Sequence, residues 1–254
     1  VLNSVSSAFN FRTTADLKIE GGGAFSIRED ILASQGNSQR LVFDIDVLIN
    51  PLTGDTLLID TQDSNGDIIF EKKVYGPYKL ALEAGSGNIT FKDTVGLDGS
   101  DFQEANYLKG LEINSAGDVL FKQAVEIAGD THIKQSGTLT FEKEASFHGS
   151  GFFHQDSLGP VSLGANIHTD NQLIQLDGAV TLTESIQISS DDGAGDILFN
   201  NLLDGRVASE QSLILQSGVG SLNLVNRVGS LVRLGNLTIA SAKDVFSQLL
   251  FVKT

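Results

Sequence analysis

Apolar and polar residues alternate in short segments along most of the chain, and many of these segments follow a glycine. The commonest pattern is a glycine, a small or polar residue, an apolar residue, any residue and a phenylalanine. It occurs at residues 66–70, 87–91, 117–121, 137–141 and 195–199. Alternation with a period of two places the apolar residues on one face of a β-strand. The pattern therefore predicts short strands that each bury one face.

These strands recur at a nearly constant interval. Looser copies of the pattern begin at Gly23, Gly159, Gly178 and Gly220. The steps from Gly66 to Gly220 average about 22 residues, a period typical of solenoid repeats. A second strand with apolar residues two apart precedes many of the glycines, as at residues 111–113. A unit this small cannot bury its apolar face alone, so neighbouring units must stack on one another.

The repeat predicts an all-β fold, namely a right-handed parallel β-helix (solenoid) of roughly eleven rungs with about 22 residues per rung. A β-sandwich is the alternative, but its turn signals recur roughly every 8 to 12 residues without a fixed longer motif. Within the β-helix the repeated phenylalanines are expected to be buried and stacked as an internal ladder. The expected members are Phe70, Phe91, Phe121, Phe141 and Phe199.

The regularity of the repeat divides the chain into two parts. Residues 57–254 are predicted to form regular β-helix repeats, and residues 1–56 to form irregular rungs or a cap. Within the first part, a capping box that begins at Ser26, followed by apolar Ile31 and Leu32, allows a short helix that ends near Gly36, with a strand and loop as the alternative.

Two segments lengthen the repeat. Residues 97–110 and 204–211 are expected to project as loops, because insertions in solenoids lie on the surface.

Composition and charge exclude several function classes. The chain has 32 acidic and 17 basic residues, so its formal net charge is −15, which disfavours non-specific nucleic-acid binding. It has no cysteine, which excludes disulfides and thiolate metal sites. The longest apolar run has four residues, 249–252, far short of the roughly 20 that a membrane-spanning helix needs. No membrane span is predicted.

The start and the composition of the chain favour export. The sequence is glycine-rich and acidic and begins at Val1 without an initiator methionine, so we interpret it as a processed product or a piece of a longer protein. Such composition is common in exported bacterial surface proteins, and an extracellular or cell-surface location in a bacterium is expected.

The histidines and serines give no sign of a catalytic or metal site. The four histidines are His132, His148, His154 and His168. His148 and His154 are six residues apart, which is not a recognised ligand spacing on one strand or helix, so they are interpreted as surface or turn residues. The chain also has no Gly-x-Ser-x-Gly nucleophile motif.

Three aspartates have a spacing that matches the repeat. Asp170 precedes Asp191 and Asp192 by one repeat length, so these carboxylates are expected on adjacent turns at separations suited to glycoside hydrolysis. The following unit offers neither a basic residue nor a histidine for binding a uronate. We therefore interpret residues 191–196 as a solvated turn and predict no catalytic residues.

An acidic loop at residues 63–67 resembles part of a Ca²⁺-binding loop, but the twelfth position is Val74 instead of a bidentate glutamate. No cofactor and no specific metal site is predicted, although weak Ca²⁺ association with the acidic surface is possible.

Three segments are similar to repeats of a known protein class. LEINSAGDVLFKQAV (111–125), IQISSDDGAGDILFNNLLDG (186–205) and LGNLTIASAKDVF (234–246) resemble the filamentous-haemagglutinin-like β-helix repeats of very large exported bacterial surface proteins. The resemblance covers residues 57–254 well. It implies adhesins, matrix proteins or surface fibres, which usually lack an active site, so it carries over no functional residues.

These observations favour a non-enzymatic structural or adhesive β-helical segment of a larger exported bacterial surface protein, which self-assembles into a fibre, matrix or surface layer. The alternative is a polysaccharide-acting β-helical enzyme or a carbohydrate-binding module. An enzyme or module of this kind would have a groove with stacked aromatic residues and carboxylates. The chain has three tyrosines that could contact a sugar, Tyr75, Tyr78 and Tyr107.

The C-terminal apolar segment is the predicted assembly interface. An uncovered β-helix end exposes unpaired backbone groups that serve as a template for another chain. The expected interface residues are Val245, Phe246, Leu249, Leu250, Phe251 and Val252. The expected partners are further copies or a continuing chain of the parent protein, and a cell-surface or glycan ligand.

Overall fold

The computed structural model describes residues 16–33, 40–96 and 107–252, together with the backbone of residues 8–11. The chain winds into a parallel β-solenoid of about nine turns, each of roughly 23 residues, as the repeat predicts. The predicted number of rungs, roughly eleven, is slightly too high. No helix among the described residues is long and apolar enough to cross a membrane.

The strands are short, and most have three residues. In chain order they are β1 (Ala8–Phe11), β2 (Leu17–Ile27), β3 (Asp30–Ala33), β4 (Leu41–Ile49), β5 (Thr56–Asp60), β6 (Ile68–Phe70), β7 (Val74–Tyr75), β8 (Lys79–Glu83), β9 (Ile89–Phe91), β10 (Gly110–Ser115), β11 (Val119–Phe121), β12 (Val125–Ile127), β13 (Thr131–Ile133), β14 (Leu139–Phe141), β15 (Ala145–Phe147), β16 (Phe153–Gln155), β17 (Val161–Leu163), β18 (Ile167–Thr169), β19 (Ile174–Leu176), β20 (Val180–Leu182), β21 (Ile186–Ser189), β22 (Ile197–Phe199), β23 (Leu203–Gly205), β24 (Ser212–Gln216), β25 (Leu222–Leu224), β26 (Asn236–Ser241) and β27 (Val245–Ser247). One short 3₁₀ helix, Gln62–Ser64, follows β5.

The strands form three parallel sheets along the solenoid axis. The first has the order β1-β3-β5-β8-β10-β13-β16-β19-β22-β25-β27. The second has the order β2-β4-β6-β9-β11-β14-β17-β20-β23, with β7 also paired to β4. The third has the order β12-β15-β18-β21-β24-β26. From β10 to β24 each turn visits the first, second and third sheet in that order, as β13, β14 and β15 do, and the buried apolar residues of the described turns form one continuous core.

A ladder of stacked phenylalanines runs through the core behind the second sheet. It contains Phe43, Phe70, Phe91, Phe121 and Phe141, all buried, with neighbouring ring centroids 4.8–5.0 Å apart and ring planes within 8°. The predicted ladder includes four of these residues. The prediction for Phe199 is right about burial and wrong about position, because Phe199 lies in the first sheet, between Leu176 and Leu224.

The repeated Gly-Asx pair is explained by the corner between the first and second sheets. The carboxylate of Asp67 accepts the backbone N–H of Asn88 (2.7 Å), and the Asn88 side chain accepts the N–H of Asp118 (2.8 Å). Asp118 in turn accepts the N–H of Thr138 (2.6 Å). Glycine precedes each Asx residue because a Cβ on Gly87 would lie 2.5 Å from the Gly66 carbonyl oxygen. Each turn thus caps the next.

The same motif serves a second corner, between the third and first sheets. Asp196 accepts the N–H of Ser221 (2.6 Å), and a Cβ on Gly220 would collide with Gly195. This is why Phe199 does not belong to the ladder.

Two local predictions are corrected by the structure. A helix after Ser26 is wrong, because β2 ends at Ile27 and β3 begins at Asp30, and both strands pair with neighbouring turns. Gly36 lies outside the described residues. The loop predicted at 204–211 is shorter, because Asp204 is buried in β23, where its Oδ1 accepts the backbone N–H groups of Leu231 and Val232. Residues 206–210 form the turn, and residues 97–106 of the other predicted loop are not described.

Candidate functional site

A row of alternating carboxylates and imidazoles crosses four turns beside the third sheet. Glu126 lies on β12, His148 follows β15, His168 lies on β18, and Asp191 follows β21. Strand register sets this order, because Glu126 pairs with Ser146, and Ser146 pairs with His168 on the next turn. Side chains that are about one repeat apart in sequence therefore become neighbours.

Both histidines bind a carboxylate through Nε2. His148 Nε2 lies 2.7 Å from Glu126 Oε2, and His168 Nε2 lies 2.9 Å from Asp191 Oδ1. Asp170 lies between the two imidazoles, with Oδ2 3.6 Å from His148 Nδ1 and Oδ1 3.8 Å from His168 Nδ1. The backbone N–H of Gly149 donates to Asp170 Oδ2 (2.8 Å) and fixes that carboxylate.

The electrostatic surroundings favour a positive charge on His148. The hydrogen bond with Glu126 raises the pKa of His148, against the opposing effect of burial, and the charges of Glu126 and Asp170 act in the same direction. The Tyr107 ring packs edge-on against the His148 imidazole, with centroids 5.5 Å apart. Burial raises the pKa of the Tyr107 phenol, so this hydroxyl stays neutral at physiological pH.

A groove of about 770 Å³ opens next to this row, at the corner between the third and first sheets. The groove exists because the residues at this corner are small: Ala128, Gly129, Gly149 and Ser150. The remaining lining residues are aromatic, charged or cyclic: Asp55, Pro77, Tyr78, Lys79, Tyr107, Lys109, Asp130, His148 and Asp170. The groove therefore combines two tyrosines with carboxylates and ammonium groups.

A second histidine pair lies on the first sheet. His132 and His154 are paired across β13 and β16, with ring centroids 5.6 Å apart, and form a group with Asp156. Two of these three residues already have polar partners. Lys134 Nζ lies 3.1 Å from Asp156, and His154 Nε2 lies 3.0 Å from Asp177.

The three aspartates whose spacing matches the repeat differ in where the structure places them. The carboxylates of Asp170 and Asp191 lie on adjacent turns, as expected, and each has an oxygen within 4.8 Å of the other and of His168. Asp192 points elsewhere and accepts a hydrogen bond from Gln216 (3.0 Å). The side chains of Asp170 and Asp191 remain 38% and 46% exposed.

The acidic loop at residues 63–67 uses its oxygens for structure. Asn65 Oδ1 accepts the N–H of Ser86 (2.9 Å), and Asp67 caps Asn88. No residue of this loop belongs to the histidine–carboxylate groups that could hold a metal within the described parts of the chain.

The predicted assembly residues lie on the last described turn. Val245, Phe246, Leu249, Leu250 and Phe251 are 37–59% exposed, whereas Val252 packs against the core. β27 pairs with β25, and Leu250 and Val252 make single bridges to Val228 and Leu234.

Reasoning from the sequence misses the row of imidazoles. It weighs His148 by its distance to His154 along the chain, whereas the partner of His148, Glu126, is 22 residues away, almost one repeat. A search for titratable residues at multiples of the repeat would find Glu126, His148, His168 and Asp191.

Comparison with protein-family models, curated proteins and solved structures finds no match to this chain. The structure supports one part of the resemblance to bacterial surface proteins, namely the β-helix repeat.

Proposed function

We propose that the protein is a non-enzymatic structural or adhesive β-helical segment of a larger exported bacterial surface protein, and that it associates with further β-helical turns through its last turn. The observation that carries this proposal is the apolar surface of residues 245–251, where five large side chains are 37–59% exposed beside the edge strand β27. Strand edges with apolar side chains pair readily with another chain.

The rest of the molecule suits a shaft. One hydrophobic core extends from Ile27 to Leu234 without a break into separate clusters, so bending the solenoid would disturb packing in every turn. The formal charge of −15 opposes side-by-side packing of shafts and favours contact at an end. Contacts of this head-to-tail kind produce filaments and not closed dimers.

The test is light scattering and electron microscopy of the wild type and of Phe246→Asp. The wild type is expected to form elongated particles, and the variant to remain a monomer, because a carboxylate at this 59% exposed position charges the apolar surface. Leu158→Asp is the matched control, since Leu158 is 81% exposed and lies far from the last turn in sequence. A monodisperse wild-type monomer at every salt concentration, or equal loss of assembly in the control, contradicts the proposal.

Non-enzymatic character is part of the proposal. Asp170 and Asp191 both face the His168 imidazole, whereas glycoside hydrolysis needs two carboxyl groups that flank a bound sugar. Incubation with polyuronates and neutral glycans is expected to release no reducing ends. Turnover that Asp191→Asn abolishes would establish the enzyme instead.

The groove favours a second candidate, a carbohydrate-binding module. Tyr78 and Tyr107 line one depression together with Asp130, Lys79 and Lys109, and such aromatic surfaces with nearby polar groups suit sugar rings. Glycan-array binding that Tyr78→Ala removes, and that Tyr75→Ala outside the groove retains, would support this candidate. Binding that is insensitive to Tyr78 would exclude the groove.

A further inference from the structure

His132 and His154 are register partners on β13 and β16, two neighbouring strands of the first sheet. Parallel strands lie about 4.8 Å apart, so two outward side chains at paired positions lie side by side, here with ring centroids 5.6 Å apart. Asp156 lies two residues beyond His154 and therefore faces the same side of the sheet. Each of the three residues has a ligand atom within 4.8 Å of those of the other two. Stacking of the turns thus brings two imidazoles and one carboxylate together.

Each of these residues also keeps an atom that can bind an ion. His154 Nε2 lies 3.0 Å from Asp177 Oδ2, and because an ionised carboxylate only accepts hydrogen bonds, the proton is on Nε2 and the lone pair on Nδ1. Asp156 uses Oδ2 for Lys134 Nζ (3.1 Å), which leaves Oδ1. Within the described parts of the chain, neither ring nitrogen of His132 has a hydrogen-bond partner.

Asp177 fixes the orientation of the His154 ring. Its Oδ1 accepts N–H groups from Gln175 (2.8 Å) and Asn200 (2.6 Å), while its Oδ2 faces His154. Metal-binding histidines commonly donate their other N–H to a carboxylate in this way. The imidazole is therefore held in place before any ion binds.

The charges around the two imidazoles favour a cation. Glu112 is the register partner of His132 on the preceding turn, so with Asp156 and Asp177 it places three carboxylates beside the histidine pair. The only ammonium group in an ion pair with them is that of Lys134. Three negative charges against one positive charge leave a formal excess of two, which a divalent cation would balance.

The three ligand atoms need to move only a short distance to meet one ion. Ligands about 2.1 Å from an ion lie roughly 3.0–3.5 Å apart at tetrahedral or octahedral angles, so the separations have to close by at most about 1–2 Å. The Asp156 side chain is 39% exposed and its partner Lys134 is 53% exposed, so rotation of this carboxylate meets little resistance.

We propose that His132, His154 and Asp156 bind one divalent transition-metal ion of the Zn²⁺ class, with Asp177 positioning the His154 imidazole. Two nitrogen ligands and one carboxylate suit Zn²⁺ better than Ca²⁺, which prefers six to eight oxygens. The ligands come from β13 and from the turn that contains β16, so the ion joins two neighbouring turns of the solenoid.

A second group of residues provides an internal comparison. His168, Asp170 and Asp191 also have ligand atoms within 4.8 Å of one another, but this group contains one imidazole instead of two. His168 Nε2 is bound to Asp191 (2.9 Å), and Asp170 Oδ2 accepts the N–H of Gly149 (2.8 Å). The proposal therefore assigns the ion to the group with two nitrogen ligands.

The experiment is calorimetric titration of the chelator-treated full chain with Zn²⁺, alone and in competition with Ca²⁺. One ion per chain is expected. Asp177→Asn should lower the affinity about 10- to 100-fold, as loss of an orienting carboxylate does, and His132→Ala and Asp156→Asn should lower it further. His168→Ala is the matched control and should bind as the wild type does.

Two further measurements separate ligation from a general effect on the fold. Zn²⁺ should raise the melting temperature of the wild type and not that of His132→Ala, because an ion that binds only the folded chain stabilises it. In the zinc-loaded protein with ¹⁵N-labelled histidine, His154 should carry the metal on Nδ1 and the proton on Nε2. Circular dichroism checks that the variants fold, and His132→Gln is the milder replacement.

Three results would each refute the proposal. They are unchanged affinity in the His132 and Asp156 variants, loss of binding in His168→Ala, and Ca²⁺ binding as tight as Zn²⁺ binding.

Discussion

Phe91 and Phe121 stack face to face, with ring centroids 4.8 Å apart and planes within 3°, although the longest step of the repeat separates them along the chain. Phe70 and Phe91, which are separated by a step of ordinary length, stack at 5.0 Å and 5°. The core geometry is thus the same whether a turn is short or contains the insertion before Tyr107. The ladder therefore continues unchanged across the longest step.

Replacing a ladder residue is expected to destabilise the fold strongly. Phe121→Ala removes a side chain that is 1% exposed and stacked on both sides, so the free energy of unfolding should fall by about 3–5 kcal/mol. Phe246→Ala is the control, because Phe246 is largely exposed and should change stability by less than about 1 kcal/mol. Urea denaturation followed by circular dichroism measures both. A small effect at Phe121 would contradict the continuous core.

Replacing a glycine at a corner of the solenoid is expected to destabilise the fold, even when the new side chain is only a methyl group. In Gly178→Ala the new Cβ would collide with the backbone carbonyl of Gly159, so a loss of about 1–3 kcal/mol in unfolding free energy is expected from the forced backbone shift. Gly22→Ala is the matched control, since a Cβ there meets nothing within 4 Å. Thermal unfolding of the two variants should separate them clearly. Similar melting temperatures would argue against close packing of the turns.

One buried hydroxyl offers a stabilising substitution. Thr131 is 1% exposed in β13, and its Oγ1 has no hydrogen-bond partner among the described residues. Thr131→Val removes this unsatisfied group and keeps the shape, so a gain of about 1 kcal/mol is expected. Thr169→Val should instead destabilise by a similar or larger amount, because the buried Thr169 Oγ1 donates to the Gln172 carbonyl (2.7 Å). Chemical denaturation checks the opposite signs.

Asp60 is expected to make the free energy of unfolding depend on pH. Burial raises the pKa of this carboxyl above 3.8, outweighing the hydrogen bond from the Gln62 N–H, and Glu83 and Asp63 add to the rise. The folded state therefore binds the proton more tightly than the unfolded state, and this contribution is lost as pH rises through the folded-state pKa.

Asp60→Asn keeps an oxygen acceptor for Gln62 and removes the charge. It should stabilise the protein at pH 7 by a few tenths of a kcal/mol, about the scale expected for a solvent-screened group, and have no effect below pH 3.8. Denaturant unfolding of both proteins across this range measures the difference. A variant that is less stable at pH 7 would show that the charged form is preferred.

The fold can be predicted from the sequence because every turn of a solenoid repeats the same local structure. In the Gly-Asx-apolar pattern the glycine allows the backbones of neighbouring turns to approach closely, the Asx side chain caps the next turn, and the apolar residue faces the core. The ladder residues from Phe70 to Phe141 can therefore be placed correctly. The predicted ladder omits Phe43, since the strand that contains it has no preceding glycine of the motif. Phe199 is misplaced, because two corners of the solenoid both need a glycine followed by a capping side chain, and the motif does not distinguish these corners.

The pattern around Ile27 and Ile31 fits a helix and a pair of strands equally well. Only the pairing of these strands with neighbouring turns distinguishes the two.

The site is far less predictable than the fold. His148 meets Glu126, Asp170 and His168 only after stacking, and the outward positions of the strands follow no pattern that the core requires. Which outward residues coincide depends on the length of every intervening turn. These lengths vary widely, since the step between the paired residues Ile89 and Val119 is much longer than the step between Val161 and Val180. The groove likewise depends on small residues at one corner, which a search for motifs does not single out.

Tension along the axis would act on this molecule in a distinctive way. The strands run across the axis, so the hydrogen bonds between turns lie along the direction of pull and break in succession instead of sharing the load in shear. Each released turn frees roughly 23 residues, which extend to about 76–83 Å at about 3.3–3.6 Å per residue. The solenoid would therefore lengthen turn by turn, in steps set by the length of each turn, while the turns still stacked keep their ladder and their corner caps.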